Sequence, residues 1–182
     1  GGKDGAIVPL IAETGGSNAM IVDATALPEQ VVDAVVQSTF RSAGQRCSAL
    51  RLLCLQDDIA DGVLEMLRGA IGLLRVGDPS QLSTDLGPVI DGEAHARLQQ
   101  QIGVLERDAK LIARAPLPEG TAQPHYIAPV AFEIASVDRA GEEVFGPVLQ
   151  VVRWQGDVAA PVVKIDARGY GLTLGGRTRP DS

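Results

Sequence analysis

Residues 148–154, Val-Leu-Gln-Val-Val-Arg-Trp, make a near-continuous apolar run of strand length. A strand with one wet face alternates apolar and polar residues. This run does not, so it reads as a strand covered on both faces. Strands of that kind belong to layered folds in which helices cross over a largely parallel sheet. Other segments agree. Residues 18–23, 50–56, 110–113 and 126–134 read as strands, and residues 6–12 as an edge strand because Pro9 cannot donate to a ladder. Helical spacing is clear in Val31, Val32, Val35, Val36, Thr39 and Phe40, and again in Val63, Leu64, Leu67, Ile71 and Leu74. A third stripe runs through His95, Leu98, Ile102 and Leu105, and residues 157–167 suit a last helix. Alternation of the two element types predicts an α/β fold, a mostly parallel sheet flanked by helices.

Punctuation sharpens the boundaries. Pro28 suits a first helical position, and Gly44 is expected to end that helix. Asp57 or Asp58 is expected to cap the second helix, and Asp91 the third. Gly77 to Ser80 reads as a turn, and residues 116–124 as a loop rich in Pro and Gly. No Gly-x-Gly-x-x-Gly loop follows a strand and opens a helix, so no dinucleotide-binding half is expected within the chain. Residues 1–182 are expected to be one domain cut at both ends.

Composition excludes several functions. A net charge of -7 argues against a nucleic-acid partner, which needs a basic surface. No apolar run reaches membrane-spanning length, and no leader pattern opens the chain, so neither a membrane nor a secreted setting is expected. Two cysteines, Cys47 and Cys54, do not make a disulfide framework. With residues 50–55 extended they lie roughly 20 Å apart. Reduced thiols in a cytoplasmic protein are the simpler reading. Cys/His spacing gives no metal site, and two histidines, His95 and His125, supply a histidine triad poorly.

Cys47 is the residue with chemical promise. It follows the first long helix and the Gly44 break, and precedes the apolar run that starts at Leu50. Alone it reads as a small buried hydrophobe. Cys54, inside a strand, keeps that reading. An isolated acid, Glu13, ends another apolar run upstream, and a thiol nucleophile with a carboxylate base needs such a pair.

Four segments, in order, resemble the aldehyde dehydrogenase superfamily: Glu13-Thr14-Gly15-Gly16, Gly44-Gln45-Arg46-Cys47, Glu143-Val144-Phe145-Gly146-Pro147 and Tyr170-Gly171-Leu172. Residues 10–16, 42–55, 84–91 and 169–174 further resemble the L-glutamate γ-semialdehyde dehydrogenase half of the bifunctional proline-utilisation flavoenzymes. The resemblance implies NAD-dependent oxidation of that semialdehyde to glutamate. It implies Cys47 as nucleophile and Glu13 as the base that activates water. Ser48 is implied as a substrate-carboxylate contact, Glu143 as the acid on the nicotinamide ribose, and Phe145, Thr14 and Gly15 as neighbours of the nicotinamide. FAD is implied only for the proline dehydrogenase half, which the chain lacks. The intact parent is expected to be a homo-oligomer acting on a small aldehyde, and the isolated chain to be inactive. Two other readings stay open: an aldehyde dehydrogenase of another substrate, and a non-catalytic fragment serving as an interaction module.

Overall fold

A computed structural model describes residues 18–118, 125–168 and 174–177. Within them lies one six-stranded sheet: β1 (Ala19–Val22), β2 (Leu52–Gln56), β3 (Lys110–Arg114), β4 (Val130–Glu133), β5 (Val148–Trp154) and β6 (Leu174–Arg177). The spatial order is β3-β4-β5-β2-β1-β6. Every neighbouring pair is parallel except β3 with β4. β5 is central and pairs with β2 from Leu52–Gln150 to Gln56–Trp154, as its near-continuous apolar sequence leads one to expect.

Helices cover both faces. On one side α1 (Pro28–Phe40) and α2 (Asp57–Gly72) bring Val31, Val35, Val63, Leu67 and Ile71 onto Leu53, Leu55, Leu149 and Val151. On the other, α3 (Gly92–Asp108) brings Leu98, Ile102 and Leu105 onto Leu52, Cys54, Phe132 and Val152. Leu53 and Leu55 go to one core and Leu52 and Cys54 to the other, the period-2 alternation of a strand covered twice. A short helix, α4 (Ala159–Asp166), follows β5.

Local signals fare unevenly. Pro28 is at the first helical position and Asp91 caps α3, its side chain accepting from the Ala94 N–H at 2.8 Å. Asp57 and Asp58 are not caps; both lie in the first turn of α2, where they favour the helix dipole. Helix α1 ends at Phe40, four residues before Gly44. Arg41 leaves helical geometry, and Ser42, Ala43 and Gly44 then take φ of 57°, 52° and 65° in succession. The strand expected over 126–134 narrows to β4, because Pro129 has no N–H and the ladder begins after it. Residues 6–12 and 172–173 lie outside the described residues. Among the described residues no helix is long and apolar enough to cross a membrane.

Candidate active site

Three loops meet at one edge of the sheet. Asn18 leads into β1, residues 41–51 lead into β2, and residues 141–147 lead into β5. These three strands are adjacent and parallel, so their entering loops share the sheet's amino-terminal edge. Open α/β sheets ordinarily place ligands at the opposite, carboxyl edge.

Cys47 sits in a turn between α1 and β2 and is exposed, whereas Cys54 is buried within β2. Burial pushes the Cys54 thiol up to about 12, so it stays protonated and inert. The exposed thiol is thus the accessible one, contrary to the buried reading that Cys47 invites on its own. Ser48 is exposed beside it.

The Cys47 loop is fastened from several directions. Buried Asn18 donates from Nδ2 to the Cys47 carbonyl at 2.5 Å and to the Ala49 carbonyl at 3.0 Å. The Asn18 carbonyl in turn accepts from the Arg51 and Leu52 N–H groups. Gln45 Oε1 accepts from the Ile90 N–H at 2.7 Å, which joins the loop to the segment 84–91 singled out in the sequence. Arg46 donates to the Gln37 carbonyl of α1 at 3.2 Å. Gly44 lies so close to the third loop that a Cβ there would fall 2.1 Å from the Gly146 oxygen. Only glycine satisfies both that contact and a φ of 65° without strain.

Arg51 occupies the middle of this junction. It is only 5% exposed. One guanidinium nitrogen donates to the Gly146 carbonyl at 3.0 Å and the other to the Arg46 carbonyl at 3.3 Å. Its Nε lies 3.9 Å from Glu143 Oε1, and its guanidinium carbon is 5.2 Å from the centre of the Phe145 ring. Burial lowers the Arg51 pKa, and the Glu143 carboxylate opposes that shift. Glu143 itself is turned inward, its side chain 14% exposed. Gln101 of α3 donates to the Glu142 carbonyl at 3.0 Å.

Of the residues proposed from sequence, Cys47, Ser48, Glu143 and Phe145 therefore lie on two loops that Arg51 joins. Glu13, Thr14 and Gly15 lie outside the described residues. Glu13 is five positions ahead of Asn18 in the sequence. Sequence reading passed over Arg51, Asn18 and Gln45. Arg51 did leave a signal: it is the one charge inside the apolar stretch 49–55, and a cation rarely enters such a stretch without partners.

A profile of the aldehyde dehydrogenase family matches residues 2–179, and the chain belongs to that family. It is 49% identical over 180 residues to the "Bifunctional protein PutA" of Salmonella typhimurium, covering 96% of this chain and 14% of that protein. The chain thus spans about one-seventh of the length of such relatives. A crystal structure of bifunctional proline utilization A (PutA) superposes with a TM-score of 0.88 at 55% identity, covering 97% of this chain and 18% of that one. A 1-pyrroline-5-carboxylate dehydrogenase from Thermus, solved with bound NAD, superposes with a TM-score of 0.83 at 35% identity, over 92% of this chain and 32% of that one.

Proposed function

We propose that the chain is the catalytic-domain portion of an NAD-dependent dehydrogenase that oxidises L-glutamate γ-semialdehyde to L-glutamate in proline catabolism. The observation that carries this reading is the exposed Cys47 on a loop fastened, through Arg51, to the Glu143–Phe145 loop, in a chain similar throughout to PutA proteins. The similarity to 1-pyrroline-5-carboxylate dehydrogenases favours the same substrate, since that compound is the cyclised form of the semialdehyde.

The Cys47 thiol, deprotonated, attacks the aldehyde carbon and forms a C–S bond while the carbonyl π pair moves to oxygen. The backbone N–H of Cys47 donates to that oxyanion, and Asn18 fixes the turn that aims it. NAD, when bound, would supply the hydride acceptor for this oxidation, which leaves the acyl group on Cys47 as a thioester. Glu13 takes a proton from water, whose oxygen attacks the thioester carbon and releases glutamate and the thiol. Ser48 donates to the substrate's α-carboxylate. Glu143 suits the cofactor side: its Oε1 is buried without a hydrogen-bond partner among the described residues, an acceptor of the kind ribose hydroxyls require. Phe145, with Thr14 and Gly15, would hold the nicotinamide. The parent also carries FAD on a proline dehydrogenase half, assembles as a homo-oligomer and works in the cytoplasm.

The test uses the protein encoded by the full reading frame. Glutamate γ-semialdehyde should give NADH with a kcat/KM well above that of simple aliphatic aldehydes, and Cys47→Ala should abolish it. Equal turnover of all aldehydes would remove the substrate assignment; turnover by Cys47→Ala would remove the thiol mechanism. The isolated 182-residue chain should form no NADH.

A further inference from the structure

We infer that Arg51 is a positioning residue that sets the Cys47 loop and the Glu143–Pro147 loop in one register, so that nucleophile and cofactor contacts move as a unit. The inference rests on the reading of Cys47 as nucleophile and of Glu143 and Phe145 as cofactor contacts. Its physical basis is the shape of the guanidinium. The two terminal nitrogens donate to carbonyls on different loops, Arg46 and Gly146, while the planar face lies near the Phe145 ring. A rigid fork makes these contacts at once; a lysine ammonium on a flexible stem makes one of them at a time. The Arg51 backbone extends the tie, its N–H donating to the Asn18 carbonyl and its carbonyl accepting from the Gln150 N–H of β5. A single residue therefore bridges the entries of β1, β2 and β5.

The Glu143 end of the tie is softer. Arg51 Nε, Gln101 Oε1 and Glu143 Oε1 are buried without hydrogen-bond partners among the described residues. All three line one cavity of about 10 Å³. That is about the room of a single water sphere, and at 3.9 Å the guanidinium and carboxylate are close enough to attract but too far apart for a direct hydrogen bond. The carboxylate is thereby left able to accept from a ligand while its loop stays anchored by Gly146. A charge this deeply buried without an ideal partner is costly, and a purely structural tie here needs no charge at all.

The test is a double-mutant experiment on the protein from the full reading frame. Phe145→Leu perturbs the cofactor-side loop, and amide hydrogen exchange reads residues 42–50 on the other loop. With Arg51 present, Phe145→Leu should speed that exchange by roughly tenfold; with Arg51→Lys as the starting point, the added change should be less than about twofold. Arg51→Lys should also lower kcat by roughly tenfold or more and raise KM for NAD, whereas Arg153→Met, at the far edge of the sheet, should change neither. Equal acceleration in both backgrounds, or none with Arg51 present, would overturn the inference. Failure of the unaltered protein to form NADH would sink the dehydrogenase reading alone, since the exchange data decide the Arg51 tie by themselves.

Discussion

Asn18 donates to the Cys47 carbonyl at 2.5 Å while its own carbonyl accepts from the N–H groups of Arg51 and Leu52, so the last residue before β1 holds the chain from the candidate nucleophile to the start of β2. Asn18 is 1% exposed, and a substitution there strands buried carbonyls. Asn18→Ala should cost about 1–3 kcal/mol of stability, the penalty of leaving a buried acceptor unpaired. It should also lower kcat more than it raises KM, because the turn that presents Cys47 loses its anchor. A thermal melt and steady-state kinetics on the same preparation check both; an unchanged kcat would deny Asn18 a part in aiming the turn.

Gly44→Ala should be among the most damaging single changes in the molecule. The new Cβ would meet the Gly146 oxygen at 2.1 Å, and the backbone φ of 65° is strained for any side chain. The two effects together should exceed about 2 kcal/mol. The atoms it would meet, the Gly146 carbonyl and the Thr39 oxygen, are backbone, so no side chain can swing away. The expected result is loss of soluble protein, or a melting midpoint many degrees lower. Near-normal stability would mean that the loop relaxes freely.

The two cysteines should differ sharply toward iodoacetamide. At pH 8 Cys47, exposed, should be alkylated and Cys54 should not until the protein unfolds. A pH effect on stability follows. The Cys54 thiol ionises near 9 when unfolded but only at about 12 when buried. Above pH 9 the unfolded chain therefore holds fewer protons than the native one, and stability falls as pH rises. The contribution of the buried thiol is complete below pH 9 and declines between 9 and about 12. Cys54→Ala should flatten that decline in a series of melts, and an identical slope in the variant would refute the assignment.

Ser48→Ala should separate substrate recognition from chemistry. An exposed hydroxyl beside Cys47 that donates to the α-carboxylate matters only for substrates that carry one. KM for glutamate γ-semialdehyde should rise roughly tenfold, as for loss of a charge-assisted hydrogen bond. Turnover of propionaldehyde should be unaltered. Equal effects on both aldehydes would point to Ser48 acting on the loop.

Much of the architecture was readable from the residues because it rests on periodicity. The near-continuous apolar run of β5 called for cover on both faces and received it. The stripes of α1, α2 and α3 marked the faces they bury, and Asp91 marked a helix start by its own hydrogen bond. The conformation of Ser42 and Ala43 was not readable, since neither residue prefers a positive φ, and neither was the close approach of Gly44 to Gly146, about a hundred residues apart. The site was half legible. Cys47 and Glu143 stood out through their flanking residues. Arg51 showed only as a charge in an apolar stretch, because its tie to the Gly146 carbonyl, 95 residues away, is one that no local pattern encodes. The edge of the sheet that bears the site was equally hidden, being a property of topology.

Arg153 near the end of β5 donates to Glu133 at the end of β4 and to Asp57 and Asp61 at the start of α2. This network binds the carboxyl edge of the same sheet, on the order of 20 Å from the loops that hold Cys47. The candidate site and this ionic fastening thus occupy opposite rims of one slab. Sequence change at the fastening rim can retune heat and salt tolerance while leaving the reacting rim untouched, which gives a lineage two nearly independent dials on one small layer of strands.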